Sequence, residues 1–146
     1  MIHEKSCGIV VYCEKNADSP EGKIRKFLIL HYPSGHFDFP KGHVEKDEEE
    51  RETAKRELQE ETGIEDCELH PSFRENMHYT YERGEETYQK EVIFFLGKTD
   101  TTEIKISHEH QGFRWLTYEE SLKILTFENA RRILRKANSY ILIPKS

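Results

Sequence analysis

Residues 42–64 read GHVEKDEEERETAKRELQEETGI, and the stretch Glu45–Glu61 inside them is the densest run of charge in the chain. The run predicts a helix. Asp47 suits an N-cap and Glu50 stands three residues on, close to a capping-box arrangement. Glu48, Glu49 and Glu50 would complement the positive end of the helix dipole. Gly63 follows the last turn as a C′ residue. With about 100° per residue, Glu60 and Glu61 fall at about 300° and about 40° relative to Glu57. Three carboxylates therefore share an arc of about 100°, beside Ala54 and Leu58 at the edge of the apolar face. Like charges so placed repel, and the repulsion grows near a low-dielectric core. Two readings follow from the residues alone: a solvated acidic face, or oxygen ligands for a hard divalent cation such as Mg²⁺, with Mn²⁺ as a substitute.

Outward from this helix the chain alternates strands and helices. Cys7–Cys13 and Lys26–Tyr32 are β-branched, aromatic and apolar, and read as buried strands. The polar stretch Glu14–Arg25 between them reads as loop. Pro33-Ser34-Gly35 turns the chain into a short extended piece, Phe37–Pro40. After the helix, Cys67–Arg74 and Asn76–Glu82 read as strands. Arg83–Glu86 is the turn of a hairpin that returns along Tyr88–Lys98, and Gly112–Leu116 is a further strand. Thr117 with Glu120 forms a capping box, opening a helical region with apolar positions at Leu122, Leu125, Ala130, Ile133, Leu134 and Ala137 and a break near Phe127. No repeat or low-complexity linker divides the chain. One α/β domain over residues 1–146, with a mixed sheet between helices, is the architecture this order predicts.

Composition narrows the function classes. The chain has 146 residues, 35% hydrophobic and 34% charged, a globular balance with core material in eight Phe, seven Tyr and one Trp. No apolar run approaches a membrane span, and no secretory signal is expected at the N-terminus. Cys7, Cys13 and Cys67 form no CxxC pair, and read as reduced thiols in a cytoplasm-like compartment, with Cys7 and Cys13 as small core residues. The net charge of −6 argues against a stable nucleic-acid partner, and leaves polyphosphates open because bound cations invert the local field.

The flanks of the carboxylate stripe carry more information than its spacing. Gly42, Glu48, Arg56, Glu57, Leu58, Glu60, Glu61, Gly63 and Ile64 match the Nudix box in identity and offset, so the segment resembles that family. The resemblance implies a loop–helix–loop within an α/β/α sandwich, with Gly42 allowing a tight entry turn. It implies that Glu57, Glu60 and Glu61 supply metal ligands for Mg²⁺, that Glu57 and Glu61 serve the chemistry, and that Glu48 and Arg56 support the loop–helix–loop. Metal ions would neutralise phosphate oxygens and acidify a water whose proton a carboxylate accepts. Lys41, just ahead of Gly42, is placed to stabilise phosphate charge.

Two further segments point within the family. Phe37–Glu45 and Ser107–Leu116 resemble asymmetric dinucleoside tetraphosphate hydrolases, and the likeness extends over nearly the whole chain. It implies cleavage of diadenosine tetraphosphate to ATP and AMP. Glu109 would add a metal-site carboxylate from outside the helix. The zincin spacing HExxH is absent around His108 and His110, which argues against a zinc site there. His36 and Lys90 would lie near phosphates. Tyr81, or Tyr79 in its place, would stack on a nucleobase, with Phe127 as a second aromatic or a core residue. A monomer acting on a small dinucleotide is the expectation. Other Nudix activities (on diphosphoinositol polyphosphates, 5′-triphosphate RNA ends or damaged nucleoside triphosphates) are the first alternative. A non-catalytic nucleotide sensor is the second, and the complete set of box carboxylates disfavours it.

Overall fold

A computed structural model describes residues 1–16, 22–107 and 110–143. Among these the elements run β1 (Ile2–Asn16), β2 (Lys23–His31), β3 (Phe37–Asp38), β4 (Lys41–His43), α1 (Glu50–Thr62), β5 (Glu68–Leu69), β6 (Glu75–Arg83), β7 (Glu86–Lys98), β8 (Gly112–Leu116), α2 (Tyr118–Ile124) and α3 (Glu128–Leu142). One mixed sheet runs β3-β2-β1-β7-β5, with β4 paired to β1, β6 to β7 and β8 to β2. The β1–β7 pairing is parallel, from Ile2↔Tyr88 to Tyr12↔Lys98; the other pairings are antiparallel.

Successive strand side chains point to opposite faces, so β1 and β7, apolar at consecutive positions, feed two cores. Cys7, Ile9, Val11, Ile93 and Phe95 meet Ala54 and Leu58 of α1. Val10, Tyr12, Val92, Phe94 and Leu96 meet Ala130, Ile133, Leu134 and Ala137 of α3. The α3 residues repeat at helical spacing, and a truncation such as Leu134→Ala would cost about 2–5 kcal/mol. The result is the expected α/β/α sandwich. Cys7, Cys13 and Cys67 are buried thiols, and burial pushes Cys7 up to about 11 and Cys67 to about 12.

Several local expectations change. The polar flanks of Glu14–Arg25 are strand: β1 runs on to Asn16 and β2 begins at Lys23. The cross-strand pair Glu14↔Arg25, closed by an Arg25–Glu14 salt bridge of 2.8 Å, lets charged residues continue the ribbon. Of Cys67–Arg74 only Glu68–Leu69 is strand. Pro71 and Ser72 turn the chain there, with Phe73 N–H donating to the His70 carbonyl at 3.3 Å. At α1 the N-cap is Glu49, not Asp47, which adopts φ 65° two residues earlier. Gly63 does end α1 in the left-handed conformation, φ 79°, its N–H returning to the Gln59 carbonyl. The Thr117–Glu120 capping box forms with both its hydrogen bonds. The helical break falls at Phe127, the N-cap of α3.

Candidate active site

The site begins with how α1 is tied to the loop before it. Glu48 forgoes any capping role; its carboxylate accepts from Arg56 Nε at 2.6 Å, from the Thr53 hydroxyl at 2.6 Å and from Glu45 N–H at 3.0 Å. The Arg56 and Thr53 hydrogen bonds hold the Glu48 carboxyl at about 2. Arg56 also donates to the His43 carbonyl at 2.9 Å. One ion pair thus clamps residues 43–48 onto the middle of α1.

The same guanidinium reaches the stripe. Arg56 Nη1 donates to Glu57 at 2.8 Å and to Glu60 at 3.1 Å, and these carboxylates raise its already high pKa, Glu48 contributing most. The three glutamates differ in depth: Glu61 is buried, Glu57 half-buried and Glu60 exposed. Glu61 lies 3.6 Å from His110 Nε2. His110 stands edge-on to Tyr32, ring centroids 4.6 Å apart. Burial, then the charges of Glu61, Asp38 and Glu57, hold the Tyr32 phenol protonated, and it donates to the Phe39 carbonyl at 2.7 Å.

Gly42 makes room for Glu57. A Cβ built on Gly42 would lie 1.9 Å from the Glu57 carboxyl carbon. The residue is not in the left-handed region, so the expected tight turn is not its reason; the carboxylate occupies the place of its side chain. This cradle bears on the metal. The donors are carboxylates alone, gathered on one arc of α1 and partly shielded, which suits a hard divalent cation. Among the described residues no three His, Cys, Asp or Glu side chains form a preassembled cage. Glu109 and His108 lie outside the described residues.

On the other face of β4 a cavity of about 380 Å³ opens toward α3, lined by His36, Asp38, Lys41, Met77, Tyr79, Phe127 and Asn129. Asp38, 1% exposed, accepts from Lys41 Nζ at 3.1 Å and from Phe39 N–H at 2.7 Å. Burial opposes the charge on Lys41, and Asp38 outweighs it, so its pKa is raised. Lys90 stands opposite Tyr79 in the β6–β7 register but is not among the cavity's lining residues; burial and then Lys41 lower its pKa, as a nearby like charge does. His36 stacks on Tyr32 at 4.8 Å and tilts against Phe127 at 5.4 Å. Phe127 is 51% exposed, which removes the core alternative for it. Tyr79 lines the cavity and Tyr81 does not: Tyr81 stacks on Tyr88 at 5.0 Å and donates to Glu4. Asp38 and Asn129 were not singled out for the site from sequence. For Asp38 the available signal was its place three residues before Lys41.

A model of the NUDIX domain matches residues 17–137. The chain belongs to the Nudix family. Among its Nudix relatives, the asymmetrical bis(5′-nucleosyl)-tetraphosphatase of Rattus norvegicus is 33% identical, over 94% of this chain and 95% of that protein. The enzyme of the same name from Caenorhabditis elegans is 34% identical, over 94% and 96%. The crystal structure of a C. elegans Ap4A hydrolase binary complex superposes with TM-score 0.75 and 28% identity, over 94% of this chain and 97% of that one. The MutT protein of Methanosarcina mazei, at 22% identity and TM-score 0.68, shares the fold. No helix among the described residues is long and apolar enough to cross a membrane.

Proposed function

We propose that this Nudix chain hydrolyses dinucleoside polyphosphates, cleaving diadenosine tetraphosphate with water to ATP and AMP. The carrying observation is that β4 joins two half-sites. Lys41 lines an aromatic cavity on one face, while Gly42 admits the Glu57 carboxylate on the other. A nucleobase fits between Tyr79 and Phe127, since stacking recognises any π-face. The attached phosphates then run past Lys41, Lys90 and His36 toward α1. The relatives named above for this reaction support the substrate class.

The cofactor proposed is Mg²⁺, replaceable by Mn²⁺. Held by Glu57, Glu60 and Glu61, with Glu109 added, it would offset phosphate charge and acidify a water. The chain's own part is to orient and to take a proton. Arg56 and Glu48 fix the pitch of α1 against the loop. The Gly42 cradle fixes Glu57. An α1 carboxylate, Glu57 or Glu61, accepts the water's proton. Lys41 and Lys90 stabilise charge on the transferred and leaving phosphates. The buried thiols suit a reducing, cytoplasm-like compartment, and a monomer suffices for this arrangement.

Incubation with Mg²⁺ and diadenosine tetraphosphate, followed by nucleotide chromatography, tests the reading. Equal ATP and AMP are expected, and chelation abolishes turnover. Two ADP, or inactivity alongside robust turnover of triphosphorylated RNA or a diphosphoinositol, overturns it. Glu61→Gln is expected to lower kcat by a factor on the order of 10³ in a folded protein.

A further inference from the structure

We propose that Arg83, laid on the paired rings of Tyr81 and Tyr88, forms a ledge for the second nucleoside of the dinucleotide; this rests on the dinucleotide reading above. On that reading the cavity takes one nucleobase between Tyr79 and Phe127, and the other half of the substrate needs a seat of its own. The β6–β7 hairpin supplies one. Alternate residues of a strand share a face. Tyr79, Tyr81 and Arg83 of β6 therefore stand in one row, and their register partners Lys90, Tyr88 and Glu86 of β7 stand beside them. The row begins at the cavity wall with Tyr79. It runs outward past the start of β1, where Ile2 pairs with Tyr88.

The outer half of this row is an aromatic and cationic surface. The Tyr81 and Tyr88 rings lie 9° from parallel with centroids 5.0 Å apart. The Arg83 guanidinium lies over both, 5.7 Å from the Tyr81 centroid and 5.6 Å from that of Tyr88. Glu86 faces Arg83 across the turn, yet among the described residues no salt bridge joins them. The guanidinium takes the rings in place of the carboxylate. The Tyr81 hydroxyl donates to Glu4, which fixes the ring and engages the acid that β1 brings to this face. Both rings are half-buried and Arg83 is exposed, so the guanidinium is backed by π-faces on one side and open on the other.

A planar cation on an aromatic support stacks on a nucleobase through its π-face and attracts the phosphate attached to it. It reads no base edge, so this seat is indifferent to which base it takes. Cavity and ledge adjoin, with the Tyr79 and Tyr81 rings 6.2 Å apart. Lys90 stands at their junction, paired with Tyr79 on one side and Glu4 on the other. A flexible tetraphosphate bent over Lys41 and Lys90 brings the second nucleoside back beside the first.

The test compares diadenosine tetraphosphate with adenosine 5′-tetraphosphate, which carries the same phosphates and lacks the distal nucleoside. Arg83→Ala and Tyr88→Ala are each expected to raise KM for the dinucleotide about tenfold, the scale of one lost base stack, and to leave KM for adenosine tetraphosphate at its wild-type value. Arg83→Lys keeps the charge without the plane and should behave as Arg83→Ala. Tyr88→Phe keeps the ring and should behave as wild type. Arg83 is exposed beside the hairpin turn, so its loss leaves the fold intact. An unchanged KM for the dinucleotide in both alanine variants, or an equal rise with both substrates, overturns the proposal. Calorimetric affinities for the two ligands in a Glu61→Gln background read the same ratio with turnover suppressed. An Arg83-dependent ratio there, beside a wild type that cleaves neither compound, would leave the ledge standing and remove the hydrolytic reading instead.

Discussion

Replacing Gly42 with alanine tests the centre of the site with a single methyl group. The new Cβ would stand 1.9 Å from Glu57 Cδ, 2.1 Å from Oε2 and 2.4 Å from Oε1, where ordinary contact begins at 3.4 Å. The carboxylate must retreat by about 1.5 Å, the difference between that 3.4 Å and the 1.9 Å overlap. Gly42 does not need the left-handed region, so the backbone adds no strain and the cost is steric. Misplacing a reacting group by about 1 Å costs on the order of 10²-fold in rate. Gly42→Ala should therefore lose about 10²-fold or somewhat more in kcat, and require more divalent metal for half-maximal turnover. The displaced atoms are all at the far end of the Glu57 side chain, which can swing aside at little cost, so the Tm should change little and the fold be retained. The assay is steady-state hydrolysis of diadenosine tetraphosphate across a Mg²⁺ titration, with thermal unfolding alongside. Because the methyl acts through Glu57, it should cost almost nothing further in a Glu57→Ala background. Wild-type kinetics in Gly42→Ala, or an undiminished additional loss on top of Glu57→Ala, would refute the cradle.

Other perturbations separate stability from chemistry. Lys41→Met strands the buried Asp38 carboxylate and should cost about 3 kcal/mol of stability together with activity; adding Asp38→Asn should restore the Tm and leave kcat/KM low, and recovery of both would remove Lys41 from the phosphate path. Phe127→Ala should raise KM about tenfold through lost stacking with little change in Tm, since the ring is half exposed; an unchanged KM would place the base elsewhere. Glu50 bridges Arg74 and Lys5, chiefly Arg74 holding its carboxyl at about 2 against an ordinary 4.5. A depressed folded pKa contributes stability that is complete above about pH 4.5 and is lost as pH falls toward 2. The acid limb of Tm between pH 5 and 2.5 should accordingly flatten in Glu50→Gln, and parallel limbs would show the pair to be inert.

The parts of the fold written in local chemistry were legible in the sequence. The Thr117–Glu120 box and the Gly63 stop depend on neighbours within one turn. They form as their residues predict. The start of α1 was not legible: Asp47, the expected cap, takes φ 65° in a loop held by Glu48, which is bound by Arg56 and Thr53 from further along the helix, and the cap falls at Glu49. Strand ends failed for a similar reason: the Glu14–Arg25 bridge across the β1–β2 ribbon stabilises a stretch whose composition alone reads as loop. The choice between Tyr79 and Tyr81 is a matter of register. Tyr79 falls opposite Lys90, and Tyr81 opposite Tyr88; Tyr79 reaches the cavity wall, while Tyr81 lies further along the hairpin toward its turn. No local pattern encodes the parallel β1–β7 pairing that sets this frame.

Strand alternation also explains why the box and the substrate residues adjoin in sequence yet serve different faces. β4 is three residues long and lies against β1, with Cys7↔Gly42 and Gly8↔Lys41. Period two sends Lys41 toward the α3 face, where Asp38 holds it at the cavity, and turns Gly42 toward α1. A one-residue slip of β4 would send Lys41 into Glu57 and leave glycine facing the cavity, destroying both half-sites at once. The register is secured beside β4: Ile9 N–H donates to the Pro40 carbonyl at 3.2 Å and Val44 N–H to the Lys5 carbonyl at 3.1 Å. Arg56, donating to the His43 carbonyl, locks the far end of the strand to the helix that carries the glutamates. Arg56 thus controls the alignment of cavity and carboxylates as well as the charge on the stripe. Arg56→Lys keeps the charge but lacks the planar fork that reaches Glu48, Glu57 and His43 together. It should therefore lower kcat on diadenosine tetraphosphate with KM little changed. A raised KM with kcat unchanged would show that Arg56 acts on substrate binding rather than on the alignment.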